Sequence, residues 1–396
     1  MSVKANQKTQ KTKRDPYQVL LRTTLILAIV VVVGFGIFFL CRMLIENEYI
    51  GKREALMQQN TEAEQAFNAE MNALRATHAP ASVTTEQQNF PVGELPYWEE
   101  HLGGKIWRIE DEGRAPLENT HTVSVDRASL INGGLLLINE WHSQPSDFSS
   151  DQLLSIGTTS GFKIKVQDNF VQLFPPAYDA LLAMVEDAET EGLTDFIARE
   201  GFRSNEAQTA LFDAQRERLS GQYTGEALIA QTKRRVNYPG TSDYQSGLSF
   251  RMDIYPAKDG IKFQQSDHGH WFTENAWKYG VIFRFPTADF PSPHWEDKSY
   301  KTGVTLQLNL YRYVGKAHST AMRVLGFCLE EYIEFLQDHP HLCIYEDGAL
   351  RYEIYRVDAP QEAQTSYDLL VPNPAKDYQA SLDNMGGIVL AFDYGS

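Results

Sequence analysis

Between Arg22 and Arg42 the chain carries no charge: Thr23 to Cys41 is an apolar run of about 19 residues, close to the roughly 20 that a helix needs to cross a hydrocarbon core. The run therefore reads as a transmembrane helix, residues 23–41. It exceeds the roughly 7–15 residues of a signal-peptide core and no small-x-small cleavage site follows, so the span reads as an uncleaved anchor. Lys4, Lys8, Lys11, Lys13, Arg14 and Arg22 precede it against Asp15 alone, while Glu46 and Glu48 follow it. Positive flanks stay inside, so residues 1–22 read as a cytoplasmic tail and the remainder as extracytoplasmic.

With a formal charge of −16 over 396 residues despite that basic tail, the rest of the chain is strongly acidic. This argues against nucleic acid or anionic lipid as its ligand. From residue 42 to 96 the sequence is polar, with helix formers up to Ala76 and then Pro80 and Pro91, and reads as a stalk or linker. The 42% hydrophobic content suffices for a large core, placed at residues 97–338, with a C-terminal β subdomain at 339–396. Cys328 and Cys343 allow one disulfide outside the cell or two free thiols.

Within the compact part, Leu135 to Asn139 has a buried-strand pattern after Gly133-Gly134. Pro175-Pro176 open a helix with Leu181, Leu182, Val185 and Ala188 on one face, which Gly192 stops. Phe196 to Glu200 reads as a strand, and Ser204 as the N-cap of the helix carrying Gln208, Leu211 and Phe212. Further expectations are strands at Leu248 to Ile254 and Val281 to Phe285 and a helix at Phe272 to Tyr279. Thr305 to Tyr311 alternates as a strand with Leu306, Leu308 and Leu310 on one face. One helix is expected from Ala317 to Leu336, then strands at Leu342 to Tyr345, Leu350 to Val357 and Gly387 to Phe392. Helices and strands mixed without βαβ alternation indicate an α+β class.

Five motifs follow one another in order: Gly201-Phe202-Arg203-Ser204 with Gln208 and Leu211-Phe212; Pro239-Gly240-x-Ser242 with Gln245 and Gly247-Leu248; Trp277-x-Tyr279-Gly280 with Arg284-Phe285-Pro286; Arg312-Tyr313-Val314-Gly315; and Leu329-Glu330-Glu331-Tyr332. In this order and spacing the chain resembles VanY-type D-alanyl-D-alanine carboxypeptidases over roughly Leu135 to Leu336. The resemblance implies mixed helices around a small antiparallel sheet, here preceded by a transmembrane helix and followed by a small β appendage. It also implies a zinc site of two His and one Asp, with a Glu as base for the metal-bound water.

By register each of these roles falls on an unsuitable residue. Tyr244 stands for the first His, Arg251 for the Asp, Gln307 for the base Glu and Leu310 for the second His. A phenol is a poor zinc ligand at neutral pH, a guanidinium opposes a dication, an amide cannot carry a proton away and leucine has no donor atom. Asp253 lies two residues beyond Arg251 on the same strand face, from which a local insertion would restore an acid. The resemblance implies substrate contacts at Arg203, Ser204 and Gln208. Ser242 and Gln245 stand beside them, and all five also fit loop and cap roles.

His268, His270 and His294-Trp295-Glu296 form the densest histidine clusters and read as exposed, while Trp271, Phe272 and Trp277 read as core. The leading expectation is a membrane-anchored protein with a carboxypeptidase fold that holds no zinc. It would bind peptidoglycan stem peptides or a cell-wall partner without hydrolysis. Two alternatives stand beside it: an active zinc D,D-carboxypeptidase with rewired ligands, Asp253 with His268 or His270, and a structural component of an envelope complex.

Overall fold

The computed structural model describes residues 16–77, 97–256, 262–291, 295–304, 309–360 and 363–395. Gln307 with Thr305, Leu306 and Leu308, and also His294, lie outside the described residues. Contacts divide the chain into residues 1–66 and 67–396. In the first part the helix Pro16–Thr77 contains the apolar stretch Thr24–Leu44, long and apolar enough to cross a membrane, with its side chains exposed. The helix formers of the expected stalk continue the same helix up to Thr77.

The second part is α+β and is built on two larger sheets. In the first, the strands run Lys165–Val166, Phe196–Glu200, Ser249–Ile254, Leu310–Tyr313 and Val281–Phe283, antiparallel after the first pair. Alternation decides its faces. Phe250, Met252, Ile254 and Tyr311 enter a core with Phe174, Leu181, Val185 and Phe272, while Ser249, Arg251 and Asp253 look the other way, joined there by Leu310 and Arg312. The helix Pro175–Thr190 covers the core face, started by its prolines and followed by Gly192 at φ +84°.

In the second sheet the order is Tyr97–Leu102, Lys105–Asp111, His341–Glu346, Ala349–Asp358, Gly387–Asp393 and Asp377–Leu382, all antiparallel. The C-terminal strands therefore do not stand alone. They complete a sheet begun by residues 97–111, and Ser366–Pro372 pairs with Thr120–Asp126 in the same manner.

Several local expectations are corrected. Leu135 to Ile138 is buried but forms no strand. Its backbone groups bond to side chains and loops instead: Ser381 Oγ accepts from Leu135 N at 2.9 Å, and the carbonyls of Gly134 and Leu136 accept from Arg312, each at 2.9 Å. Satisfaction of buried backbone does not require a ladder. The expected helix from Ala317 to Leu336 is two, Lys316–Leu325 and Leu329–Asp338, because Gly326 adopts φ +68° and caps the first. Of the strand expected from Thr305 to Tyr311, the described part forms the strand Leu310–Tyr313. The helix expected at Phe272 starts at Asp267, capped by Ser266. Cys328 and Cys343 are both buried free thiols.

Gly280 holds the turn from Ala276–Tyr279 into the strand Val281–Phe283. Its φ is +83°, its carbonyl accepts from Val314 N at 2.8 Å, and an added Cβ would lie 2.8 Å from the Gly315 backbone. Gly280→Ala is expected to cost roughly 1–3 kcal/mol, read as a lower urea midpoint with unchanged slope.

Candidate functional site

The outward face of the first sheet carries Tyr244, Arg251 and Leu310, three of the positions that the resemblance assigns to zinc chemistry. Ser242 caps a short 3-10 turn, Asp243–Ser246, in a capping box with Gln245, and Gly247 ends it at φ +70°. This turn carries Tyr244 to the sheet face. Leu310 lies directly opposite Arg251 in the ladder, and the register between these strands is regular from Leu310↔Arg251 to Arg312↔Ser249.

At this place the chain builds a small apolar cluster in which Tyr244, Phe285 and Leu310 are buried against Val304. Burial, then the charge of Glu200, pushes the Tyr244 phenol far above its ordinary range, so its oxygen stays protonated and offers no anionic ligand. Arg251 forms an ion pair with Glu200 at 3.2 Å, and Glu200 in turn pairs with Arg203. The Arg203 guanidinium lies 4.3 Å above the Tyr244 ring, and its backbone N–H donates to the Tyr244 carbonyl at 3.1 Å. The three positions that the resemblance assigns to metal ligands thus present a buried phenol, a guanidinium and a hydrocarbon, which do not fit zinc.

The Asp253 carboxylate is held by Arg199 at 3.2 Å, and the strand Phe196–Glu200 shifts register opposite Met252 and Arg251. The histidines of the expected clusters lie as follows. His268 is buried, contrary to expectation, with Nε2 2.5 Å from the Thr194 carbonyl and its ring against Phe196. His270 is exposed. Trp271, Phe272 and Trp277 are core, as expected.

The five expected substrate-contact residues come together, but most are engaged structurally. Gln208 is fully buried, accepting from Arg203 Nη1 at 2.8 Å and donating to the Asn237 carbonyl at 2.6 Å. Ser204 accepts from Ala207 N at 3.2 Å as N-cap. The Gln245 Oε1 accepts from Gly240 N at 2.8 Å. Ser242 and Gln245 are both buried. Arg203 and Arg251 keep partial exposure, with 19% and 39% of their side chains accessible around the single carboxylate of Glu200.

Beneath this face lies a network that inspection of single motifs missed. Arg284 sits between Asp243, 3.0 Å from its Nε, and Glu330, which accepts from Nη1 and Nη2 at 2.9 and 2.7 Å. Arg312 Nη1 donates to Asp243 at 2.9 Å, and the Ser249 hydroxyl donates to the second Asp243 oxygen. Burial alone would raise the Asp243 carboxyl, but Arg284 and Arg312 outweigh it and hold it below the ordinary range. The network fixes the turn that bears Tyr244. Its signal was available: Arg284 and Arg312 stand inside apolar strands, where a lone cation requires a partner.

The VanY family, described as D-alanyl-D-alanine carboxypeptidase, matches residues 171–316. That match spans both the Tyr244 turn and the Leu310 strand. Over residues 171–316 the chain is similar to the VanY family. Two enterococcal proteins agree in name: a D-alanyl-D-alanine carboxypeptidase of Enterococcus faecium, 27% identical over 73% of this chain and 84% of that protein, and one of Enterococcus faecalis, 27% identical over 55% and 72%. Among solved structures, the vancomycin-resistance D,D-dipeptidase VanXYg, in complex with a D-Ala-D-Ala phosphinate analogue, shares the fold with a TM-score of 0.52. It is 23% identical and covers 69% of this chain and 99% of its own. The VanY-type expectation for the fold is thereby met.

Proposed function

We propose that this chain is a membrane-anchored, extracytoplasmic VanY-fold protein that recognises a cell-wall stem peptide without hydrolysing it. The observation that carries the reading is the apolar cluster of Tyr244, Phe285 and Leu310 at the metal position. A zinc-bound hydroxide needs three donor groups and a base in reach, and among the described residues this face holds its carboxylates, Glu200 and Asp253, in ion pairs with arginines. The basic tail, with the apolar helix after it, supports an inside-to-outside topology.

Recognition rests on Arg203 and Arg251, two cations that share one carboxylate and so retain capacity for the C-terminal carboxylate of a peptide. The names of the relatives make a D-alanyl-D-alanine terminus the peptide to test. Full-length protein in detergent, supplied with zinc, is expected to release no D-alanine from such a pentapeptide above buffer. It is expected to bind it saturably, with Arg251→Ala weakening binding about tenfold, or 1.4 kcal/mol. Turnover that depends on one equivalent of zinc would overturn the reading in favour of a rewired carboxypeptidase.

A second reading is a structural component of an envelope complex, favoured by the burial of Gln208, Ser242 and Gln245, whose polar groups are spent on the fold. Absence of peptide binding in the same titration selects it.

A further inference from the structure

A cluster of metal-binding residue types lies outside the VanY-matched region, in the second sheet. His341 and Cys343 are two apart on the strand His341–Glu346 and share one face, while Glu353 on the neighbouring strand is the ladder partner of Cys343. All three are buried, at 4%, 8% and 9% exposure, and their donor atoms lie within 4.8 Å of one another. Among the described residues, no other His, Cys, Asp and Glu side chains form such a group.

The surroundings orient each donor. The Nδ1 of His341 meets the Ala115 carbonyl at 2.8 Å, which leaves Nε2 aimed at Glu353, 2.7 Å from its Oε1. The other Glu353 oxygen accepts from the Tyr394 hydroxyl. A carbonyl behind an imidazole and a hydroxyl behind a carboxylate are the outer partners that hold metal ligands in place. Glu110, the ladder partner of Cys343 on its other side, is held by Arg108 at 2.8 Å, and Glu112 adds to the negative potential at His341 and Cys343.

We propose that His341 Nε2, Cys343 Sγ and Glu353 Oε1 form a structural site for a divalent cation of the zinc class, with water in the fourth position. Tetrahedral zinc with bonds of about 2.0–2.3 Å places its donors roughly 3.5 Å apart, within reach of small side-chain rotations here. In the loaded site thiolate, neutral imidazole, carboxylate and dication sum to zero, so no net charge is left buried, and the thiol proton leaves to solvent as the metal binds. A mixed nitrogen, sulfur and oxygen donor set suits zinc or cobalt(II), whereas calcium and magnesium require oxygen alone. A filled site would tie together the loop at Ala115, two C-terminal strands and, through Tyr394, the chain end.

Full-length protein in detergent is incubated with cobalt(II) under reducing conditions, passed over a desalting column and assayed for bound metal and absorption. One retained equivalent with a thiolate-to-cobalt charge-transfer band is expected. Cys343→Ser should abolish the band, Cys328→Ser should leave it unchanged, and zinc should displace the cobalt stoichiometrically. Failure of the wild-type protein to retain metal would overturn the proposal. So would retained cobalt that lacks the thiolate band, or a band that survives Cys343→Ser.

Discussion

Arg284→Ala is expected to remove about 3–5 kcal/mol of folding stability, a large share of the 5–15 kcal/mol typical of a domain. Arg284 is inaccessible to solvent and bridges two buried acids, Asp243 and Glu330. Truncation leaves Glu330 in the interior with Asn139 at 3.2 Å as its remaining described polar partner, whereas Asp243 keeps Arg312. The cost is that of an uncompensated charge rather than of a lost contact, so removing both partners should be milder. Urea denaturation of Arg284→Ala and of an Arg284→Met, Glu330→Leu double variant measures this. The double variant should recover more than half of the loss, and equal losses would refute the account.

Acid sensitivity should have an identifiable source in His318. This residue is fully buried, its Nδ1 lies 2.9 Å from the Tyr332 hydroxyl, and its Nε2 has no hydrogen-bond partner among the described residues. Burial pushes its pKa down from 6.5 to about 3. The unfolded chain takes up the proton below about pH 6.5 while the folded chain refuses it until about pH 3. Stability from this group is therefore complete above 6.5 and lost as pH falls through that window, with a slope of up to about 1.4 kcal/mol per pH unit. By pH 4 the loss is on the order of 3 kcal/mol. His318→Gln, which does not titrate, should flatten the stability curve between pH 6.5 and 4. An unchanged slope would place the acid sensitivity elsewhere.

The pieces of the fold legible in the sequence were those governed by short-range rules. Pro175-Pro176 and Gly192 bound a helix because proline presets the first turn and glycine accepts the left-handed end. Ser204 capped its helix as its side chain requires. The errors have equally physical causes. Gly326 interrupts an amphipathic stripe that periodicity alone read as continuous. Leu135 to Ile138 has the burial of a strand without a neighbouring strand, because Arg312 and Ser381 serve its backbone. His268 looked like a surface residue until the Thr194 carbonyl and the Phe196 ring came to it.

The candidate site divides along the same line. Sequence alone carried the expectation that Tyr244, Arg251 and Leu310 stand at the resemblance's ligand positions, since it rests on motif spacing along a strand and on what each side chain offers a metal. It likewise determined the apolar span near the N-terminus, since a hydrocarbon-length run without charge is a local property. Only the tertiary structure decided what replaced the donors: Phe285 closing on Tyr244 and Leu310, Glu200 shared by two arginines, and Asp243 clamped from three directions. Apart from Arg203 with Glu200 and Ser249 with Asp243, those partners come from distant segments, Arg312 and Asp243 being 69 positions apart, and their meeting depends on strand pairing and burial, long-range quantities that no local window of residues contains.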